Sequence, residues 1–449
     1  MANHAARDIL YKQFVENNAI DPKLYDKYVV KRGLRNSDGT GVIAGLTNIC
    51  NVHGYVINEG EKAPIEGQLI YRGYNINDIV NSAVAENRFA FEETVYLLLL
   101  GELPTRTELQ AFSDIMAENR ELPPNFFEDM ILKAPSKNIM NGIARSVLAL
   151  YSYDEDPEDR APAKEMATAI SIISRLPNIM VSSYQVKKRV YDNESLIMHP
   201  LIASHSTAEM ILSALRPNRQ FTDEEAKLLD LMLVLHAEHG GGNNSTFSCR
   251  VLTSSGTDPY SAYSAAIGSL KGPRHGGANA KVSQMQECVK KNVKNWDDED
   301  EVAEFLRKIL RKEENDHSGL IYGMGHAVYT LSDPRAVILK ANAKKLAKGT
   351  EYEAEFRLLE SIERLTPVLF KEIKNDDKVM CANVDMYSGL VYRMLGIPSD
   401  LFTPLFAVSR MAGWSAHRFE ELVTGKRIIR PAYKAIRGNK IYVPIDDRQ

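Results

Sequence analysis

Cysteine is scarce in this chain: four residues, Cys50, Cys249, Cys288 and Cys381, stand among 449, and no two form a CxxC pair. That spacing excludes a zinc knuckle and a disulfide framework and points to a reducing compartment. An excess of positive charge is missing too. The 55 Lys and Arg are set against 59 Asp and Glu, a formal net charge of -4, which leaves no global basic surface for nucleic acid. No apolar run approaches the length of a membrane span, the longest being VYLLLL from Val95 and LMLVLHA from Leu231. The N-terminus, MANHAARDILYKQF, has no apolar core, and its Asp8 and lack of serine do not fit a transit peptide. The expectation is a soluble cytoplasmic protein without nucleic-acid or membrane partners. Internal repeats and low-complexity segments are also absent, and 44% hydrophobic with 25% charged residues is ordinary globular composition.

What is present is mostly helical in pattern. Val42 to Tyr74 reads as short β-prone runs separated by glycine and by Lys62-Ala63-Pro64, which predicts a small antiparallel element. A second β-prone patch lies at Ile428, Ile429 and Ile441 to Val443. Between them FAFEETVYLLLLGELP predicts an apolar helix stopped near Gly101 and Pro104, and helices are expected around 163–176, 203–215 and 224–236. The acidic run from Tyr153 to Pro162 reads as a solvated loop. Val302, Phe305, Leu306, Ile309 and Leu310 follow the i, i+3, i+4, i+7, i+8 rule of an amphipathic helix.

Four stretches concentrate chemistry. LIYGMGHAVYTLSDPR, from Leu320 to Arg335, sets Gly323 and Gly325 before His326 and puts Pro334 and Arg335 at an expected helix start. A histidine and an arginine at a helix N-terminus make a clamp for a carboxylate, though a glycine turn with a structural histidine reads equally well. HAEHGGGNNSTF places His236 and His239 three apart, expected on one helical face, either as metal ligands or as one substrate donor and one structural ring. Neither HExxH nor HxxEH is present. LKGPRHGGANAKV puts His275 just before an expected helix, as a neutral donor or part of a capping turn. KVMCANVDMYSG delivers Asp385 at the end of an apolar run, as a base or as a salt-bridged structural group. Arg410 interrupts an apolar helix and Arg430 precedes a proline. Together, arginines to hold a polycarboxylate, a histidine to polarise its carbonyl and an aspartate to take a proton from carbon amount to carbon–carbon bond formation through an enol.

At these residues the chain resembles the citrate synthase family. GQLIYRGYNI, FEETVYLLLLGELP, HAEHGGGNNSTF, GPRHGGANAKV, YGMGHAVYTLSDPR, NVDMYSG and RMAGW occur in the family's order, from about Gly41 to Ile429. The resemblance implies a mainly α, two-domain fold with small β elements near the two termini. It divides the chain into an N-terminal extension at 1–40, a large dimer-forming domain at 41–279 and 388–449, and a small domain at 280–387 that closes over the site. It also implies condensation of acetyl-CoA with oxaloacetate to citrate, an acyltransferase reaction at the entry to the tricarboxylic acid cycle, or the same chemistry on propionyl-CoA in a 2-methylcitrate synthase.

Residue by residue, the resemblance makes Asp385 the base, His275 the stabiliser of the enol and His326 the acid at the oxaloacetate carbonyl. His239, Arg335 and Arg410 become carboxylate ligands, and Arg430 one supplied to the neighbouring subunit of a homodimer. Thr330 stands where relatives often carry a basic residue. Arg274 and Lys281, with Gly323 and Gly325, are therefore the expected CoA contacts. No metal and no resident cofactor is expected, coenzyme A entering as a substrate thioester. A metal-dependent hydrolase using His236, His239 and Asp385, and an inactive helical scaffold, are the readings from other classes.

Overall fold

A computed structural model describes residues 4–36, 38–59, 61–375 and 379–448, with the backbone alone at 4–7, 58 and 62. The fold is mainly α, as expected. Its only sheet among the described residues is three-stranded and antiparallel in the order β1 (Cys50–Asn58), β2 (Glu61–Tyr71), β3 (Tyr74–Asn75). The register runs from Cys50 opposite Tyr71 to Asn58 opposite Glu61, with a shift between His53 and Tyr55. Pro64, expected to separate strands, lies inside β2 opposite Tyr55. β3 covers only Ile70 and Tyr71, so the other edge of β2 is open where proline lacks its N–H.

The second expected β patch forms no strand among the described residues. Among the described residues, 425–448 hold no strand and only the short turn of helix Ile445–Asp447. Ile428, Ile441 and Tyr442 are exposed there. β-prone side chains make a strand only where a neighbouring edge takes up their backbone groups, and the segment has none.

By contact the chain divides into two units. The first comprises Met1–Ser82, His239–Gly242 and Asn279–Gly396. It contains the sheet and the helices Glu299–Leu310, Pro334–Ala347, Glu353–Lys374 and Asp385–Met394. Val302, Leu306 and Ile309 are fully buried, the stripe their spacing predicts. The N-terminal helix is His4–Asn18, with Ile9, Leu10, Tyr11, Phe14 and Val15 exposed.

The second unit comprises Ala83–Glu238, Asn243–Ala278 and Ile397–Gln449. The helix Phe91–Leu100 ends at Gly101, whose φ of 92° is the left-handed stop that glycine takes without strain. Capping boxes start three helices: Thr105 with Glu108, Ser206 with Glu209, and Thr222 with Glu225. The central element is the helix Phe402–Thr424, buried along most of its length. Arg418, fully buried on it, is satisfied by a two-pronged pair with Glu165 at 2.8 and 2.7 Å. Among the described residues no helix is long and apolar enough to cross a membrane.

Candidate active site

In the first unit the segment Tyr322–Arg335 lies against the sheet. A Cβ at Gly67 would come within 2.1 Å of the Ser332 carbonyl, and one at Gly54 within 2.9 Å of the Val328 carbonyl. Only glycine lets the strands approach so closely. The Gly67 N–H donates to Ser332 Oγ at 3.1 Å, and Tyr329 Oη donates to the Gln68 carbonyl at 3.3 Å. The strands thus form a backing plate for the loop that carries His326.

His326 Nδ1 accepts from the backbone N–H groups of Val328 and Tyr329 at 3.0 and 3.1 Å. With Nδ1 committed as an acceptor, the neutral ring carries its proton on Nε2. Burial pushes the His326 pKa down to about 4, and the Arg335 cation adds to that effect. The ring stacks on Tyr329 with centroids 4.6 Å apart, and His239 meets it edge-on at 5.0 Å. His239 is not on the helix of His236, as its spacing suggested: that helix, Asp223–His236, ends before it. Gly240, with φ of 87°, follows His239 and turns the chain.

Arg335 begins the helix Pro334–Ala347, as the proline signalled. The expected anion at that terminus is already part of the chain. Asp333 caps the helix and pairs with the same arginine's guanidinium, through Nε at 3.0 Å and Nη2 at 2.7 Å. Burial by itself lowers the pKa of a guanidinium, but the Asp333 carboxylate outweighs it and holds Arg335 raised.

Asp385 opens the helix Asp385–Met394, its N–H donating to Asn383 Oδ1 at 3.0 Å. The chain leading to it is sewn to the glycine loop. Gly325 N–H donates to the Cys381 carbonyl at 2.7 Å, Asn383 N–H to the Gly323 carbonyl at 2.9 Å, and Asn383 Nδ2 to the Gly325 carbonyl at 2.9 Å. Gly323 and Gly325 have φ of 86° and 89°, so the three bonds depend on glycine. This pairing joins the loop of His326 to the helix start of Asp385. Lys281 instead pairs with Asp316 at 3.1 Å, beside Tyr322. Thr330 Oγ1 is buried and has no hydrogen-bond partner among the described residues.

In the second unit His275 Nε2 lies 2.9 Å from Ser245 Oγ, which accepts from Trp414 Nε1 at 3.1 Å and donates to Asn243 Oδ1 at 2.9 Å. Burial first, and then the Arg410 cation, push the His275 pKa down to about 4. The structure thus favours a neutral ring mainly through desolvation, where the sequence suggested a helix dipole. Arg410 is fully buried, its Nε donating to the His236 carbonyl at 2.6 Å while its guanidinium lies over Phe406. Arg274 and Arg430 are both exposed, the latter on the irregular C-terminal segment.

Ser245, Trp414, Tyr329 and Asp333 were not singled out in the sequence. Asp333 had a signal, since Asp before Pro-Arg is a helix cap. The others are assembled by tertiary packing. Among the described residues no group of three or more His, Cys, Asp and Glu is placed to hold a metal ion.

The family model described as "Citrate synthase, C-terminal domain" matches residues 36–432. The citrate synthase of Haloferax volcanii is 34% identical over 412 residues, 88% of this chain and 98% of that protein. The 2-methylcitrate synthase 1 of Corynebacterium glutamicum is 30% identical, over 93% of this chain and 98% of that one. Among solved structures, the citrate synthase of Thermoplasma acidophilum in ternary complex with carboxymethyl coenzyme A and oxaloacetate superimposes with a TM-score of 0.75 at 28% identity, covering 93% of this chain and 99% of that one. The citrate synthase of Thermotoga maritima gives 0.73 at 31%, covering 94% and 99%. On the family match and these identities, the chain belongs to the citrate synthase family.

Proposed function

We propose that the protein condenses acetyl-CoA with oxaloacetate and hydrolyses the resulting thioester, releasing citrate and CoA. The observation that carries this reading is the state of His326: a neutral ring whose Nδ1 is occupied by two backbone N–H groups and whose Nε2–H is left to donate. Such a ring polarises a ketone oxygen and can then surrender a proton to it.

In this reading Arg335, Arg410 and His239 hold the oxaloacetate carboxylates. Asp385 takes a proton from the acetyl methyl group and His275 donates to the developing enol oxygen. The enol carbon attacks the oxaloacetate carbonyl carbon, whose C=O electron pair collects the His326 proton, and water then cleaves the citryl thioester. No resident cofactor takes part, and coenzyme A enters as substrate. Arg274, Lys281, Gly323 and Gly325 are the proposed CoA contacts, with Lys281 leaving Asp316 to reach a phosphate. The closing of 280–387 on the substrate belongs to the same proposal; the expected division at 41–279 with 388–449, and 280–387, differs from the contact units, which group Met1–Ser82 and His239–Gly242 with Asn279–Gly396.

We further propose a homodimer in which the segment 425–448 lies against the partner and delivers Arg430. In its support, Ile428, Tyr433, Ile441 and Tyr442 are 60%, 94%, 93% and 80% exposed, a cost that a covering surface would remove. The cytoplasm is the proposed location, on the four free cysteines.

The second reading, 2-methylcitrate synthesis from propionyl-CoA, is favoured by the relatives of that name, at 30% and 31% identity. One added methylene is worth about 1 to 3 kcal/mol in a pocket, so a few contacts decide between them. Mass-spectrometric identification of the product formed from oxaloacetate and acetyl-CoA tests the main reading. Citrate is expected, and its absence with active controls present would overturn it.

A further inference from the structure

Within the second unit, one face of the helix Phe402–Thr424 is bonded residue by residue to the chain leaving the helix Asp223–His236. Arg410 Nε donates to the His236 carbonyl at 2.6 Å, the Gly413 N–H donates to the Ala237 carbonyl at 3.2 Å, and His417 Nε2 lies 3.1 Å from Glu238 Oε1. Positions 410, 413 and 417 fall at i, i+3 and i+7, a single stripe, and they take three consecutive residues, 236, 237 and 238. The approach is too close for any side chain at 413, where a Cβ would come within 2.1 Å of Glu238 Oε2 and 2.5 Å of the Ala237 carbonyl.

His417 closes this stitch, and its own state is imposed from behind. Arg250 directs Nε and Nη2 at His417 Nδ1, at 3.1 and 2.8 Å, while Glu420 and Glu421 hold the same guanidinium. Two N–H donors aimed at Nδ1 require a lone pair there. The ring proton is therefore on Nε2 and is donated to Glu238. Both His417 and Glu238 are fully buried, where a broken hydrogen bond carries the desolvation cost of the groups it leaves.

We propose that His417 is a positioning residue for Arg410. By tying down Glu238 it fixes the 236–238 backbone, and with it the carbonyl that sets the direction of the Arg410 guanidinium. This rests on the reading of Arg410 as an oxaloacetate ligand. Nothing in the proposed reaction otherwise uses His417.

His417→Phe removes the bond and keeps an aromatic ring, while His417→Gln keeps an N–H donor at the Nε2 position. Steady-state kinetics with varied oxaloacetate at saturating acetyl-CoA are measured for both, for Arg410→Lys and for the double variant His417→Phe/Arg410→Lys. Thermal unfolding checks that each is folded. We expect the KM for oxaloacetate to rise about tenfold in His417→Phe with kcat changed much less, to return most of the way in His417→Gln, and to rise little further in the double variant. A structural role alone predicts equal loss from both His417 variants, or effects that multiply in the double variant, and either result overturns the proposal. If His417→Phe fails to fold, His417→Gln and Glu238→Gln carry the test: oxaloacetate KM values unlike each other and uncoupled from Arg410→Lys overturn it. An Arg410→Lys variant with unchanged oxaloacetate KM would instead remove the underlying assignment of Arg410.

Discussion

Asp333 is bound to Arg335 three times over. Its Oδ1 accepts from the Arg335 backbone N–H and from Nε, both at 3.0 Å, and its Oδ2 accepts from Nη2 at 2.7 Å. Both residues are buried. The pair freezes the guanidinium at the helix start, which is what a fixed carboxylate clamp needs.

Asp333→Asn is therefore expected to cost about 3 kcal/mol in stability, because it leaves a buried cation with a neutral neighbour. The KM for oxaloacetate should rise with it as Arg335 loses its direction. Denaturant unfolding and steady-state kinetics on the same preparation check this; an unchanged midpoint and KM would remove the pair from the account.

His275 and His326, each held at a pKa of about 4 against an ordinary 6.5, set a pH dependence of stability. In the unfolded chain both rings bind protons below pH 6.5, while in the folded protein they refuse them until about 4. Stability should fall as pH drops from 6.5 toward 4 and gain nothing from these rings above 6.5. Unfolding free energies across that range should slope less steeply in His275→Gln/His326→Gln. An identical slope would show that the rings are not held neutral.

Asp385→Asn should lower turnover about 10²- to 10⁴-fold, the usual share of a general base. Oxaloacetate binding, measured by calorimetry, should survive. Near-normal turnover would exclude Asp385 as the base.

Gly323→Ala combines a φ of 86° with a Cβ 3.1 Å from Met386 Cα, one residue beyond Asp385. A cost of about 1 to 3 kcal/mol in stability is expected. Turnover should fall as well, since the helix start that carries Asp385 must shift. Kinetics and melting temperature unaltered from wild type would mean that the paired loops do not set the base.

Co-expression of Arg430→Ala with Asp385→Asn tests the shared site. If Arg430 serves the neighbouring subunit, a mixed dimer contains one site with both residues intact and regains activity that neither variant has alone. No recovery in isolated mixed dimers would keep Arg430 within its own subunit.

The helices were legible where apolar spacing and caps agreed, as at Asp223–His236 and Glu299–Leu310. The candidate site was legible through its motifs, because glycine, histidine and Asp-Pro-Arg cluster locally in the chain. His239 was misplaced because the apolar pattern does not mark where its helix stops, at His236. The tail at 428–443 misled because strand propensity says nothing about whether a partner edge exists. Gly54 and Gly67 were visible only as glycines in a β-prone stretch, with nothing to show the loop they admit, and His417 carried no signal at all. His417 and Arg250 are 167 positions apart, and only the packed fold gives that pair a meaning.

Free-thiol release from acetyl-CoA and from propionyl-CoA, each with oxaloacetate, measures the identity of the condensation directly. Oxaloacetate-dependent release is expected, with the larger kcat/KM for acetyl-CoA. A larger value for propionyl-CoA would make the enzyme a 2-methylcitrate synthase, and no release with either would contradict the catalytic assignment of Asp385, His275 and His326.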